Sequence, residues 1–166
     1  MNEIAQTNPI IYSFPPIASS RSKVLILGTI PGKESLRMEA YYAHGQNAFW
    51  KIIFALHELP FSFDYNVRKE VLIKNDIALW DVLKACTRES SLDNDIRLEM
   101  PNDLQAFLQS HPSILKIFFN GQSAAKYFRK YFPGISLPTQ TLPSTSPAHA
   151  IKWDQKLLAW QVIKDI

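Results

Sequence analysis

The chain of 166 residues has a single cysteine, Cys86. No disulfide can form within it, and neither an all-cysteine zinc site nor a four-cysteine iron–sulfur cluster can be built. One lone thiol fits a reducing, cytoplasmic setting. Glycine is scarce, five residues against eleven prolines, so the loops are expected to be stiff. Long apolar runs are missing: Val24-Leu25-Ile26-Leu27 is far short of the ~20 residues a membrane span needs. The N-terminus has no basic stretch leading into an apolar one, so no signal peptide is expected. A strong charge bias is absent too, with 18 basic and 15 acidic residues leaving a net charge of +3. That balance permits a polyanionic partner without demanding one. The four histidines, His44, His57, His111 and His149, have no i, i+4 pairing and no carboxylate at ligand spacing. No metal site and no cofactor are expected.

What is present is ordinary globular material, 46% hydrophobic and 20% charged, at a length suited to a single domain over residues 1–166. Residues 1–22 are polar and carry Pro9, Pro15 and Pro16, which predicts an extended arm packing through Ile10, Ile11, Tyr12 and Phe14. Short apolar runs predict strands over 23–27, 76–81 and 114–119, and a weaker one over 135–142 containing Pro138. Apolar residues at helical spacing predict helices over 48–59, 123–131 and 153–166. This alternation predicts an α/β fold, a three-layer α/β/α sandwich around a mostly parallel four-stranded sheet. Ligands of such sheets bind beyond the carboxyl ends of the strands. The segments there are 28–47, 81–93, 120–123 and 142–150.

Two familiar motifs fail on inspection. Gly28-Thr29-Ile30-Pro31-Gly32-Lys33 has three residues between its glycines where a P-loop needs four, and Glu34 follows the lysine. It offers instead a rigid turn whose glycines allow close backbone approach. Gly121-Gln122-Ser123-Ala124-Ala125 lacks the second glycine of a nucleophile elbow, and His149 precedes Asp154, against the order a hydrolase triad requires. Ser123 is expected to cap a helix. The unusual segment is Tyr41-Tyr42-Ala43-His44-Gly45-Gln46-Asn47-Ala48-Phe49-Trp50, with four aromatics and two amides in ten residues. Read plainly, Asn47 caps a helix whose Phe49 and Trp50 enter the core. Leu142-Pro143-Ser144-Thr145-Ser146-Pro147-Ala148 is a stiff, hydroxyl-rich loop that could hold a phosphate.

Those segments, with Ala78-Leu79-Trp80-Asp81-Val82 and Phe119-Asn120-Gly121, together resemble the uracil-DNA glycosylase superfamily, and within it the hypoxanthine-DNA glycosylase family. The resemblance runs over roughly residues 10 to 165. It implies a monofunctional, monomeric base-excision-repair enzyme. Such an enzyme flips a deaminated base (hypoxanthine first, uracil or xanthine as further substrates) and hydrolyses its N-glycosidic bond. A DNA-binding module on the same fold, weak or inactive in catalysis, is the alternative, because relatives carry Asp or Asn where this chain has Ile30. The resemblance assigns the water-positioning role to Asn47 and base stacking to Phe49. It places Asp81, Asn120, Tyr42 and Ile30 around the base. Gly28, Thr29, Pro31, Gly32, Ser144, Thr145, Ser146, Pro147 and His149 are left to grip DNA, helped by Lys33, Arg37, Lys84, Arg88 and Lys152. Ser144 stands where uracil enzymes carry a catalytic histidine. An ionised Asp81 would accept the N1–H of hypoxanthine and repel the N1 lone pair of adenine.

Overall fold

A parallel strand covered on both faces has no polar side to show, and Val24–Gly28 is buried at every residue. The structure, a computed structural model, describes residues 8–166. In chain order its elements are β1 (Ile10–Tyr12), β2 (Val24–Gly28), α1 (Lys33–Met38), α2 (Phe49–Leu56), α3 (Tyr65–Lys74), β3 (Ile77–Asp81), β4 (Leu83–Thr87), β5 (Arg97–Pro101), α4 (Leu104–Ser110), β6 (Lys116–Asn120), α5 (Gln122–Tyr131), β7 (Thr139–Leu142) and α6 (Trp153–Trp160).

The main sheet is parallel throughout, in the order β3-β2-β6-β7. Alternate side chains divide it into two faces. Val24, Ile26, Ile77, Leu79 and Phe118 pack against α2, α3 and α6. Leu25, Leu27, Ala78, Ile117 and Phe119 pack against α4, α5 and the inner side of β4. The three-layer arrangement follows directly from these two sets. The outer edge of β3 is covered where Ile17 exchanges backbone hydrogen bonds of 2.9 and 2.8 Å with Leu79.

Several boundaries depart from expectation. The segment expected as a loop over 81–93 contains the strand β4, which pairs antiparallel with β1 on one side and β5 on the other. The arm is therefore a strand at Ile10–Tyr12, and its side chains alternate. Ile11 reaches the core while Ile10 and Tyr12 stay exposed, which corrects the expectation that all three pack. Residues 1–7 of the arm lie outside the described residues. The second helix ends at Leu56, with Glu58 in the left-handed region just before Pro60. The last helix stops at Trp160 and continues only as a tight 3-10 turn to Lys164. β7 starts after Pro138, which cannot donate to the ladder. Among the described residues no helix is long and apolar enough to cross a membrane.

Trp160 is fully buried, packs edge-on against Phe49 at 5.9 Å, and donates its indole N–H to the Pro143 carbonyl at 2.9 Å. It ties the last helix to both the core and the loop after β7. Trp160→Ala is expected to cost about 3–5 kcal/mol in urea denaturation. A loss below about 1 kcal/mol would contradict this anchoring role.

Candidate active site

The four parallel strands end in register. Gly28 lies opposite Asp81, Leu27 opposite Phe119, and Asn120 opposite Leu142. The loops that follow them surround one cavity of about 700 Å³, a volume suited to a nucleotide-sized ligand. Its wall takes Thr29 to Gly32 from the first loop, Tyr42 and Asn47 from the aromatic segment, and Asp81 and Asn120 from strand ends. Ser144 to Pro147 and His149 line it as well. These sites, distant in sequence, share one end of the sheet because every crossover is parallel.

Gly28 explains the chemistry at the centre. A methyl group there would lie 2.5 Å from Asp81 Oδ1 and 2.7 Å from Tyr42 Oη. The glycine therefore makes room for two polar side chains rather than for DNA. It is buried and does not line the cavity, which corrects its assignment to the DNA-binding surface. Asp81 Oδ2 and Tyr42 Oη are both buried without a hydrogen-bond partner among the described residues. Burial pushes the Asp81 carboxyl up to about 7, the negative Asp93 adds to this, and Arg88 opposes it. Burial likewise holds the Tyr42 phenol above its ordinary range, with the Asp81 charge second. Tyr42 also sits in the left-handed region, at φ 52°, a conformation costing about 1–3 kcal/mol for a side chain of this size. Two unpaired polar atoms and a strained residue in one cavity are costly to the fold and useful to a ligand.

The same geometry reassigns the aromatic. Phe49 is fully buried and does not line the cavity. Its ring packs at 4.2 Å and 30° against that of Tyr42, which does. Tyr42 thus presents the ring at the wall and Phe49 backs it, because Phe49 opens α2 on its core-facing side. Asn47 lines the cavity and sits one residue before the α2 N-cap, which is Ala48 rather than the expected Asn47; its Oδ1 accepts the Phe49 N–H at 3.0 Å in a turn that leads into the helix. One acceptor site on that oxygen and the amide N–H groups remain available to the cavity.

The loop after β7 is pinned by one residue. Thr145 is fully buried, its N–H donates to Asn120 Oδ1 at 2.9 Å, and its hydroxyl accepts from Asn120 Nδ2 at 2.9 Å. Its carbonyl accepts the Ala48 N–H at 3.0 Å, which joins this loop to the start of α2. Asn120 therefore works first as a strut, and buried Thr145 faces inward rather than toward DNA. Gly121, at φ 96°, lets the β6–α5 turn close on Ser144, where a Cβ would meet Ser144 Cβ at 3.1 Å. Ser144, Ser146, Pro147 and His149 stay at the surface of the cavity.

A further wall was not singled out from sequence. Residues 91–94 after β4 line the cavity, and Ser91 Oγ accepts the Lys33 N–H at 2.9 Å, fastening this wall to the first loop. Asp93 brings a further carboxyl group to the cavity, besides Asp81 and Glu34. Only its place in a segment beyond a strand end could have pointed to it. Behind it, the Arg88 side chain is 1% exposed and donates from Nη2 to the Pro31 carbonyl at 2.6 Å. Arg88 therefore cannot grip DNA as expected, whereas Lys33, Arg37, Lys84 and Lys152 are exposed. Among the described residues no group of three or more metal-ligating side chains converges.

The raised Asp81 carboxyl makes a stability prediction. Because the folded state holds this proton more tightly than the unfolded chain does, the group favours folding at low pH. That contribution is lost as pH rises from about 4 through about 7. Asp81→Asn removes the effect. The stability of the variant relative to wild type is expected to improve by about 2–4 kcal/mol between about pH 4 and pH 8 in denaturant titrations. A difference that does not change with pH would contradict the burial of an ionisable group here.

Comparison with known proteins agrees with this geometry. Residues 15–165 match the family model described as the uracil DNA glycosylase superfamily. A protein of Methanosarcina acetivorans named hypoxanthine DNA glycosylase is 33% identical over 151 residues, covering 90% of this chain and 95% of its own length. A protein of the same name from Methanosarcina barkeri is 32% identical over 149 residues, covering 89% and 93%. A solution NMR structure of a Methanosarcina acetivorans protein superimposes with a TM-score of 0.83 at 30% identity, covering 94% of this chain and 97% of that one. The chain belongs to the uracil DNA glycosylase superfamily and is a DNA glycosylase, a hydrolase of N-glycosyl bonds.

Proposed function

We propose that this glycosylase removes deaminated bases, hypoxanthine first, through a monofunctional hydrolysis in which Asp81 reads the flipped base and Asn47 places the water. The observation that carries this reading is the convergence of two buried, unpartnered polar atoms, Asp81 Oδ2 and Tyr42 Oη, in the cavity that Asn47 also lines. The name of the two Methanosarcina relatives supports hypoxanthine as the base.

The chemistry follows from the groups present. A base inside a duplex cannot be reached, so it must be extruded. That costs a few kcal/mol, and least for a mispaired base. Stacking on Tyr42, stiffened from behind by Phe49, returns about 1–3 kcal/mol. Ionised Asp81 accepts the N1–H of hypoxanthine, and the N3–H of uracil presents the same kind of donor. The N1 lone pair of adenine is repelled, so the normal base leaves a buried charge unpaired and is rejected. As the bond to the sugar breaks, the sugar gains positive charge and the base negative charge. Asn47 Oδ1, held by the Phe49 N–H, accepts from a water but cannot take its proton fully. Bond breaking must therefore run ahead of attack, with positioning and fixed dipoles carrying the rate. Ser144, Ser146, His149 and the exposed lysines are available for the phosphates on either side. We infer that the chain works as one domain and as a monomer, on DNA in the cytoplasm or nucleoid.

A second reading, a DNA-binding module weak in catalysis, is favoured by Ile30, which lines the cavity, is apolar and 8% exposed, and cannot hold a water. Asn47→Ala separates the two. Single-turnover cleavage of a hypoxanthine oligonucleotide is expected to fall at least ~100-fold with DNA binding retained. Loss of the hydrogen bond from the Phe49 N–H to Asn47 Oδ1 should also cost about 1 kcal/mol of stability. Asn47→Asp keeps an oxygen for the Phe49 N–H and is expected to restore that stability. Unchanged cleavage in Asn47→Ala would remove Asn47 from the mechanism, and no cleavage by wild type would favour the module.

A further inference from the structure

Among the described residues Lys156 is the one buried lysine, 5% exposed on α6. Its Nζ donates to the Ser146 carbonyl at 3.3 Å, and it makes no ion pair among the described residues. Asp154, the carboxylate nearest to it in the chain, is exposed. An ammonium taken out of water without a counter-ion is costly, so a purely structural site would be better filled by an apolar side chain. Trp160 lies one turn further along α6 on the same side, and donates to the Pro143 carbonyl at 2.9 Å. The helix therefore holds the loop after β7 at two carbonyls. The second of these does more than receive Lys156. The Ser146 carbonyl also accepts the His149 N–H at 3.0 Å, and the Ser146 hydroxyl accepts the Ala148 N–H at 3.2 Å. One carbonyl thus joins a buried cation to the tight turn 146–149. Ser146 and His149, on that turn, line the cavity.

We propose that Lys156 is a positioning residue for DNA: its ammonium fixes the 146–149 turn in the shape that meets a backbone phosphate, and that phosphate supplies the negative charge the protein withholds. This rests on the reading, given above, that the loop after β7 grips the phosphates. Lys156 acts from behind the turn and touches no phosphate itself. The Ser146 hydroxyl accepts one bond and still has its proton to donate, so the turn can offer that hydroxyl and the exposed His149 to the strand. Between the ammonium and a phosphate on the outer side of the turn lies protein rather than bulk water, so their attraction is weakly screened. An exposed lysine would be hydrated and would lose rotamer freedom on binding. Lys156 is already dehydrated and ordered before DNA arrives, so its cost falls on folding and its benefit on the complex.

The test compares wild type, Lys156→Met, Lys156→Arg and His149→Ala by three measurements. These are the Kd for a labelled hypoxanthine duplex over a range of salt, the single-turnover cleavage rate at saturating protein, and thermal melting. Lys156→Met keeps the length of the side chain and removes its charge. It is expected to melt no lower than wild type, yet to raise Kd about tenfold while the saturated rate changes less than about threefold. The slope of log Kd against log salt should become shallower by about 1. Lys156→Arg, which keeps charge and donor, should recover most of the affinity and the full slope. A merely structural Lys156 would instead lower the melting temperature with Kd and slope unchanged, and that result overturns the proposal. Should Lys156→Met fail to fold, Lys156→Gln, polar but uncharged, decides by the slope, and a wild-type slope overturns the proposal. His149→Ala, on the outer side of the turn, should also raise Kd. If it does while Lys156→Met does not, the proposal alone falls; if neither does, the reading of this loop as a DNA grip falls with it. Absence of cleavage by wild type would count against the hypoxanthine reading, and the Kd comparison would still decide this one.

Discussion

A carboxyl group buried without a hydrogen-bond partner is among the most expensive features a small domain can carry, and Asp81 is one. The surrounding structure is organised around keeping it there. Gly28 has no side chain because any other residue would collide with Asp81 and Tyr42. Tyr42 accepts a left-handed backbone so that its hydroxyl can share the same space. Asn102 holds the strand end from below, donating to the Asp81 carbonyl at 2.8 Å. Without a ligand these choices only cost stability. In the proposed reading, an extruded base presenting an N–H gives the orphaned oxygen its partner, and binding energy becomes discrimination.

The parallel sheet makes such a site available from short loops. In-register strand ends bring Gly28, Asp81, Asn120 and the residue after Leu142 to one edge of the sheet, far apart as they are in the chain. The hydroxyl-rich loop is then fixed by Thr145, which satisfies the Asn120 amide and the first turn of α2 together. Asn47 gains its orientation from the Phe49 N–H at the start of α2, which its side-chain oxygen accepts. The group proposed to place the water and the ring proposed to stack the base are thus set by the same few residues leading into α2. Local errors in this turn should move both at once.

Much of this was legible in the chain. The buried strands announce themselves because a two-sided interior demands uninterrupted apolar runs, and the loops at their ends follow from the topology. α3 was missed because only Val71 and Leu72 of its ten residues are buried, which leaves no apolar stripe to read. β5 was missed because it is largely exposed, with Leu98 and Met100 facing solvent. In the site, residue types pointed to the right segments but not to the side-chain directions. Phe49 and Tyr42 are both aromatic, and only their packing order shows which one meets the cavity. Arg88 looked like a surface cation because charge in a loop is normally solvated. It is buried between the Pro31 carbonyl of the first loop and Asp93, a meeting of distant segments for which the sequence offers no pattern.

The central claim is that a buried carboxylate selects bases by an N–H on the pairing edge. It is tested most directly with a set of labelled duplexes, each holding one hypoxanthine, uracil, xanthine or adenine, incubated with the protein and opened by alkali. The account predicts strand scission where the base carries that N–H, fastest for hypoxanthine, and an intact adenine strand. Comparable release of adenine, or scission that ignores the pairing edge, would contradict it.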